Sequence, residues 1–411
     1  MFRFRKQRRS IDFDGYEEEA YGRWTFQVIV NSRVSVDTFF AVSGLLMTFL
    51  VMKELDRTNV RWPSFLGKFY FHRYWRLTPP YMFFMMAYVP LFKYLGDGPF
   101  WKYTGGEGRS ECEDNWYYNL LYINNFVDER NPGFCMAWSW YLANDMQFFW
   151  FSPIIFIPLY YLKNVGMLWP SILLLSNLIF VGVQSKTNGF SPGGGSGWHE
   201  EYYTKPYCRI GAYIVGMMTG YVLYKTQCKA RIHPAVAVIG WMFATVVGLS
   251  VMYGLYGHYN GHPQSEDTAA FWNSIHRPAW ALSICWVIFA CANGYGGPIN
   301  TFLSWNWLLP LSRLTYCAYM VHWPVMDFFL YTQREPFYVN NNNIVFSYLG
   351  ILWVTFFLAF INSMTFEGPF LGLEKLVMAF FGWVGSNFSK NKKNIGADFV
   401  VSYSKYSKHK P

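Results

Sequence analysis

Apolar positions along this chain come in long unbroken blocks, rather than in the period-two or helical alternation of half-buried strands and helices. A helix crossing the hydrocarbon core needs about 20 mostly apolar residues, because every backbone N–H and C=O must be bonded within the segment where water is absent. Val165–Val183, Pro234–Tyr253, Pro278–Tyr295 and Ile344–Phe366 meet that test and hold no Asp, Glu, Lys or Arg. Val34–Met52 holds one charge, Asp37, and Met136–Leu162 holds one, Asp145. Leu77–Phe92 and Ile210–Tyr224 are shorter but uncharged, and Leu314–Tyr331 carries His322 and Asp327. The pattern predicts an all-α polytopic membrane bundle of about nine transmembrane helices. It would occupy residues 34–366, after an N-terminal segment 1–33 that is basic then acidic, and before a basic tail 367–411.

Composition agrees with lipid as the solvent: of 411 residues 53% are hydrophobic and 14% charged, against about a quarter charged in soluble domains. The net charge of +9 is concentrated in a few connections. Lys53, Arg57, Arg61, Lys68, Arg73 and Arg76 fill one, Lys225, Lys229 and Arg231 another, and the tail ends in Lys390, Lys392, Lys393, Lys405, Lys408 and Lys410. Nine spans put all of these on one face, which the excess of Lys and Arg marks as cytoplasmic, the C-terminus included. The basic balance is therefore a topology signal and not a nucleic-acid surface. The opposite face receives the 96–135 connection with Cys112 and Cys135, whose Gly, Asn and Pro surroundings and shared face predict a disulfide. No Cys or His spacing suggests a metal site. The basic start, Arg3 to Arg9, fits poorly with an odd span count. Either a helix precedes this sequence, or Tyr21–Val36 enters the membrane partway.

Several strings resemble the membrane acyltransferase-3 family, in particular its animal nose-resistant-to-fluoxetine branch. Ser35-Val36-Asp37-Thr38-Phe39-Phe40-Ala41-Val42-Ser43-Gly44 is similar to the family's Val-Asp-x-Phe-Phe-x-x-Ser-Gly helix. Arg73-Tyr74-Trp75-Arg76 resembles its Arg-x-x-Arg segment, and Trp140 to Phe149 its Trp-x-Leu-x-x-acid-x-Gln-Phe helix. Lys205 to Gly211 and Ser312 to His322 complete the set, in family order. The resemblance implies a membrane enzyme that moves an acyl group from a donor such as acyl-coenzyme A, a co-substrate and not a resident cofactor, to a hydroxyl of a lipophilic acceptor. Family members also carry a helix ahead of the Ser-Val-Asp segment with a histidine taken as catalytic, and animal members an extracellular cysteine-bearing domain. Here the first histidine is His72. The expectation is that this chain by itself has little acyltransferase activity, with Asp37 and Ser43 left without mates.

Acyl transfer to a hydroxyl needs a proton acceptor, donors for the developing oxyanion and an anchor for the donor's phosphates. Arg73 and Arg76, three apart on a helix at the cytoplasmic boundary, are the candidates for gripping coenzyme A phosphates. The alternative is lipid headgroup contact. His322, within a span, is a functional candidate by default, against a neutral histidine satisfied by a neighbouring helix. His72 beside Arg73 is a further catalytic candidate. Asp145 is a catalytic candidate as well, and Asn144, Gln147 and Asp37 are candidates for binding substrate; paired with Arg or His the two acids would order the site, against a buried polar network that fixes helix packing or, for Asp37, dipole stabilisation at a helix N-terminus. Arg73, Arg76 and His72 are expected to open on a cavity leading to His322 and Asp145. Gly216 and Gly220 form a small-xxx-small pair that lets helices approach. The rival to an enzyme is a transporter or binder of lipids or lipophilic small molecules, but no string in the second half echoes the first as transporter repeats do. The setting is a multi-pass protein of the endoplasmic reticulum or plasma membrane.

Overall fold

The structure, a computed structural model, describes residues 10–11, 19–57, 62–101, 108–127, 135–163, 165–194, 197–335 and 337–380. The basic residues expected at the extreme N-terminus and in the tail beyond 380 lie outside the described residues. Long helices account for the fold: α1 Ser35–Arg57, α2 Trp62–Leu95, α3 Gly108–Leu120, α4 Trp140–Leu162, α5 Leu168–Thr187, α6 Ile210–Thr226, α7 Pro234–Tyr253, α8 Glu266–Ala292, α9 Leu308–Tyr331, α10 Asn341–Asn362 and α11 Gly368–Phe380. A two-residue parallel pairing of Ser10–Ile11 with Phe337–Tyr338 is the one strand contact among the described residues.

Each expected span is centred on one of these helices. Five helical stretches are long and apolar enough to cross a membrane by length and composition: Trp24–Arg57, Val165–Thr187, Pro234–Tyr259, Glu266–Ala292 and Asn341–Glu374. The remaining four fall short for local reasons. α6 has 17 residues, α2 carries Lys68, Arg73, Arg76 and Lys93, and α4 and α9 interleave Pro, Tyr and Trp with their aliphatic residues. On α5, α7 and α10, residues such as Ile172, Leu175, Val238, Met242, Phe346 and Trp353 are exposed, an apolar surface that lipid covers and water would not. The chain is an integral membrane protein.

Two segment boundaries differ from expectation. Helical turns at Trp24–Phe26, Gln27–Val30 and Asn31–Val34 lead without a break into α1, making one stretch of 34 residues. At ~1.5 Å per residue this is about 50 Å, longer than the ~30 Å hydrocarbon core. At the other end, Ser363–Glu367 passes directly into α11, which packs on α2 through stacked or tilted Phe83–Phe366 and Phe83–Phe370 rings. Residues just past 366 therefore belong to the bundle, because their aromatic face has α2 to bury against.

The interior is organised around α1. Gly216 and Gly220 of α6 bring their backbones onto α1; a Cβ at Gly216 would lie 2.0 Å from the Ala41 carbonyl oxygen, and one at Gly220 2.3 Å from that of Leu45. Gly44 of α1 returns the contact, 2.4 Å from the Tyr213 carbonyl oxygen on the same construction. Phe40, Met47, Phe148, Phe156, Tyr213 and Met217 fill the space where α1, α4 and α6 meet. A second cluster, including Tyr81, Met85, Met146 and Met320, joins α2, α4 and α9 and extends to a disulfide between Cys112 and Cys135, whose Cα atoms are 4.5 Å apart. Asn119 Nδ2 donates to the Cys135 carbonyl at 2.8 Å, seating the loop on the bundle.

Candidate active site

Three helices meet at the first charged centre. Asp145, one turn and a half into α4, accepts from the Arg73 guanidinium of α2 and, at 2.7 Å, from Ser43 Oγ of α1. The Arg73 guanidinium carbon stands 4.9 Å from the Phe149 ring centroid, one helical turn beyond Asp145. A guanidinium bonded to a carboxylate and laid against an aromatic face is fixed in position and permanently charged. That is the arrangement a developing oxyanion requires of its partner.

The other expected residues separate from this centre to different degrees. Asn144 and Gln147 have their amides taken up by protein: Asn125 Nδ2 donates to Asn144 Oδ1 at 2.6 Å, Asn144 Nδ2 to the Thr204 carbonyl at 3.0 Å, and Gln147 Nε2 to the Tyr122 carbonyl at 2.7 Å. They pin the 122–125 turn and the 204–205 loop to α4, so the expected substrate contact gives way to a packing role. Arg76 is exposed while Arg73 turns inward; three residues along a 3.6-residue helix leave an offset of about 60°, enough at a bundle edge to part the two. His72 Nε2 is 3.2 Å from the buried Glu374 Oε1 of α11. The Glu374 carboxylate thus replaces the expected approach of His72 to Asp145.

His322 hydrogen-bonds the Tyr319 carbonyl through Nδ1. A carbonyl oxygen only accepts, so Nδ1 carries the proton and Nε2 of the neutral ring holds the lone pair. The His322 ring lies 5.5 Å from that of Tyr319, which lies 5.4 Å from that of Tyr141, one turn before Asp145. The histidine and the charged centre are linked by aromatic packing and not by direct contact.

The second charged centre lies toward the face that carries the disulfide loop. Asp37 is fully buried and accepts from Arg209 Nη1 through both oxygens, at 3.0 and 2.9 Å, with Arg277 Nε at 4.0 Å. Dipole stabilisation at a helix start does not describe Asp37, since helical turns precede it from Trp24. Nor do Asp37 and Ser43 lack mates: Arg209 and Asp145 supply them. Arg209 rests between the Trp140 and Tyr203 rings, at 4.7 and 4.3 Å, and its Nε donates to the Tyr203 carbonyl at 2.6 Å, inside or beside the π-helical turn His199–Tyr203. Arg209 and Arg277 are the buried cations to which sequence reasoning gave no role. Both sit at the mouth of an uncharged span, at the end of a polar connection where a charge reads as solvent-exposed; only the lone acid inside Val34–Met52 signalled that a buried cation must answer it. Among the described residues, no group of three His, Cys, Asp or Glu could hold a metal ion.

The comparisons with known proteins bear on this arrangement of helices. The family described as the acyltransferase domain, acyltransferase-3, matches residues 9–364. Nose resistant to fluoxetine protein 6 of Caenorhabditis elegans is 31% identical over 381 aligned residues, 85% of this chain and 46% of that protein. Regulator of hypoxia-inducible factor 1 of the same organism is 22% identical over 73% of this chain and 61% of its own length. A Staphylococcus aureus protein described as a candidate O-acetyltransferase is 28% identical over 141 residues, 32% of this chain. The chain thus spans about half the length of the first relative and under two thirds of the second. No solved structure gives a significant match. Since the match runs from ahead of α1 to the end of α10, taking in both charged centres, the chain belongs to the acyltransferase-3 family.

Proposed function

We propose that this protein is a membrane O-acyltransferase that moves an acyl group from a donor such as acyl-coenzyme A to a hydroxyl of a lipophilic acceptor, centred on Arg73, Asp145 and Ser43. The observation that carries the reading is the part-buried Arg73–Asp145 pair held by three helices of an acyltransferase-family bundle. When a hydroxyl attacks a thioester carbonyl, a proton leaves the hydroxyl and negative charge grows on the carbonyl oxygen. Arg73, oriented by Asp145, offers the fixed positive charge for that oxygen. His322, with Nε2 left as acceptor by the Tyr319 carbonyl, takes the proton and returns it to the thiolate as the thioester C–S bond breaks, so that coenzyme A leaves as the thiol and the acyl group stays on the acceptor oxygen. Exposed Arg76, and His72 one turn before it on α2, receive the donor's phosphates.

On this reading all nine expected spans cross the membrane. The Lys53–Arg76 face and the C-terminus are cytosolic, and the disulfide faces the lumen of the endoplasmic reticulum or the exterior, where oxidising conditions preserve it. The reading is tested by supplying radiolabelled acetyl- or palmitoyl-coenzyme A to membranes from cells expressing the complete native transcript. Label should pass to hydroxyl-bearing lipid or sterol above the level in membranes without the protein. Equal labelling in both would overturn it.

A further inference from the structure

The second charged centre borders a cavity of about 30 Å3 on the disulfide-bearing face; a water needs roughly 10–15 Å3 on that scale, so the space suits a group the size of a carboxylate. It lies between the turn Asn31–Val34, the loop around Gly193 and Trp198, the start of α6 and the flank of α8. Its buried ionic lining is unbalanced: two guanidiniums, Arg209 and Arg277, face one carboxylate, Asp37. Asp37 spends both oxygens on Arg209 Nη1, while Arg277 reaches it only at 4.0 Å and donates instead to the Cys208 carbonyl at 2.9 Å.

Two buried donors on this lining have no hydrogen-bond partner among the described residues: Arg209 Nη2, on a residue with no exposed surface, and Nε1 of Trp198, which is 6% exposed. A buried donor left unbonded costs about 1–3 kcal/mol, more when charged, and uncompensated buried cations cost still more. Excess positive charge and orphaned donors, with no orphaned acceptor beside them in the lining, ask for the same missing partner: an acceptor carrying negative charge.

We propose that this cavity binds an oxyanion, the carboxylate or phosphate group of a small molecule, held by Arg209 Nη2, Trp198 Nε1 and Arg277. The site is separate from the Arg73–Asp145 centre and its occupancy does not depend on acyl transfer, so it is tested without an acyl donor. Protein expressed from the complete native transcript and purified in neutral detergent is titrated in zwitterionic buffer with acetate, with its neutral isostere acetamide, and with inorganic phosphate, following thermal melting. Acetate should raise the melting temperature saturably and acetamide should not; a response to phosphate alone would keep the oxyanion site and assign it to a phosphate-bearing ligand. Arg277→Gln should weaken the responding anion about tenfold or more, the scale of one charge-assisted hydrogen bond. Asp37→Asn, which removes the competing carboxylate, should strengthen it although the anion-free protein melts lower. Trp198→Phe keeps a ring in place, loses the donor, and should weaken binding by itself if Arg277→Gln fails to fold. Indistinguishable responses to acetate and acetamide, with none to phosphate, would overturn the proposal. So would a common direction of change in Arg277→Gln and Asp37→Asn.

Discussion

Gly216→Val is expected to prevent the folded protein from accumulating in membranes. Any Cβ at this position meets the Ala41 carbonyl oxygen at 2.0 Å and its carbonyl carbon at 2.8 Å, and both are backbone atoms of a neighbouring helix that cannot swing aside. Relief requires α1 and α6 to move apart along a contact that Gly220 and Gly44 also use, at 2.3 and 2.4 Å. Overpacking by a methylene or two costs about 1–3 kcal/mol when side chains yield; here the yielding element is a helix pair, so the loss should exceed that range. Lipid offers no hydrophobic drive to hold separated helices together, which makes the lost van der Waals contact the main term. Gly350→Ala on α10, where nothing lies within 4 Å, is the matched control and should leave the yield of monodisperse protein unchanged. Gel filtration of both variants beside wild type measures this directly.

Arg209→Ala should be nearly as damaging, for an electrostatic reason. It would leave the Asp37 carboxylate, which has no exposed surface, with Arg277 at 4.0 Å as its nearest cation. Removing one partner of a buried pair costs about 3–5 kcal/mol, whereas replacing both by apolar residues is often neutral. The double substitution Asp37→Leu with Arg209→Leu is therefore expected to melt higher than Arg209→Ala despite carrying more changes. A double variant less stable than the single one would show that Asp37 gains more from Arg277, 4.0 Å away, than its burial costs.

How much of this was legible beforehand divides along physical lines. The positions of the helices follow from uncharged blocks, because the bilayer punishes every charge inside them, and the close approach of Gly216 and Gly220 follows from their spacing. The disulfide followed from two cysteines in one connection. Partnerships between helices were harder to read. Asp145 was visible as an acid inside a span, but nothing local says that its cation comes from α2 and its hydroxyl donor from Ser43 on α1. Arg73 and Arg76 looked equivalent by spacing, and only which side of α2 faces Asp145 of α4 decides which turns inward. Asn144 and Gln147 looked like site residues because polar groups in lipid usually are; their partners, Tyr122, Asn125 and Thr204, come from loops that no hydrophobic pattern marks. Arg209 and Arg277 were hidden by lying at the ends of polar connections, where an arginine reads as solvent-exposed.

Arg73 and Asp145 are proposed here as the charged centre of acyl transfer. Its most direct measurement is the transfer of labelled acyl groups from acyl-coenzyme A by membranes matched for folded protein, comparing wild type with Asp145→Asn, Asp145→Glu and Arg73→Gln in the complete native transcript. Removing one preorganised oxyanion donor costs about 100- to 1,000-fold in turnover. Arg73→Gln should fall by that order, and Asp145→Asn should approach it because the guanidinium loses its anchor. Asp145→Glu, which keeps the charge, should recover part of the loss. Wild-type transfer rates in both Arg73→Gln and Asp145→Asn would contradict the account.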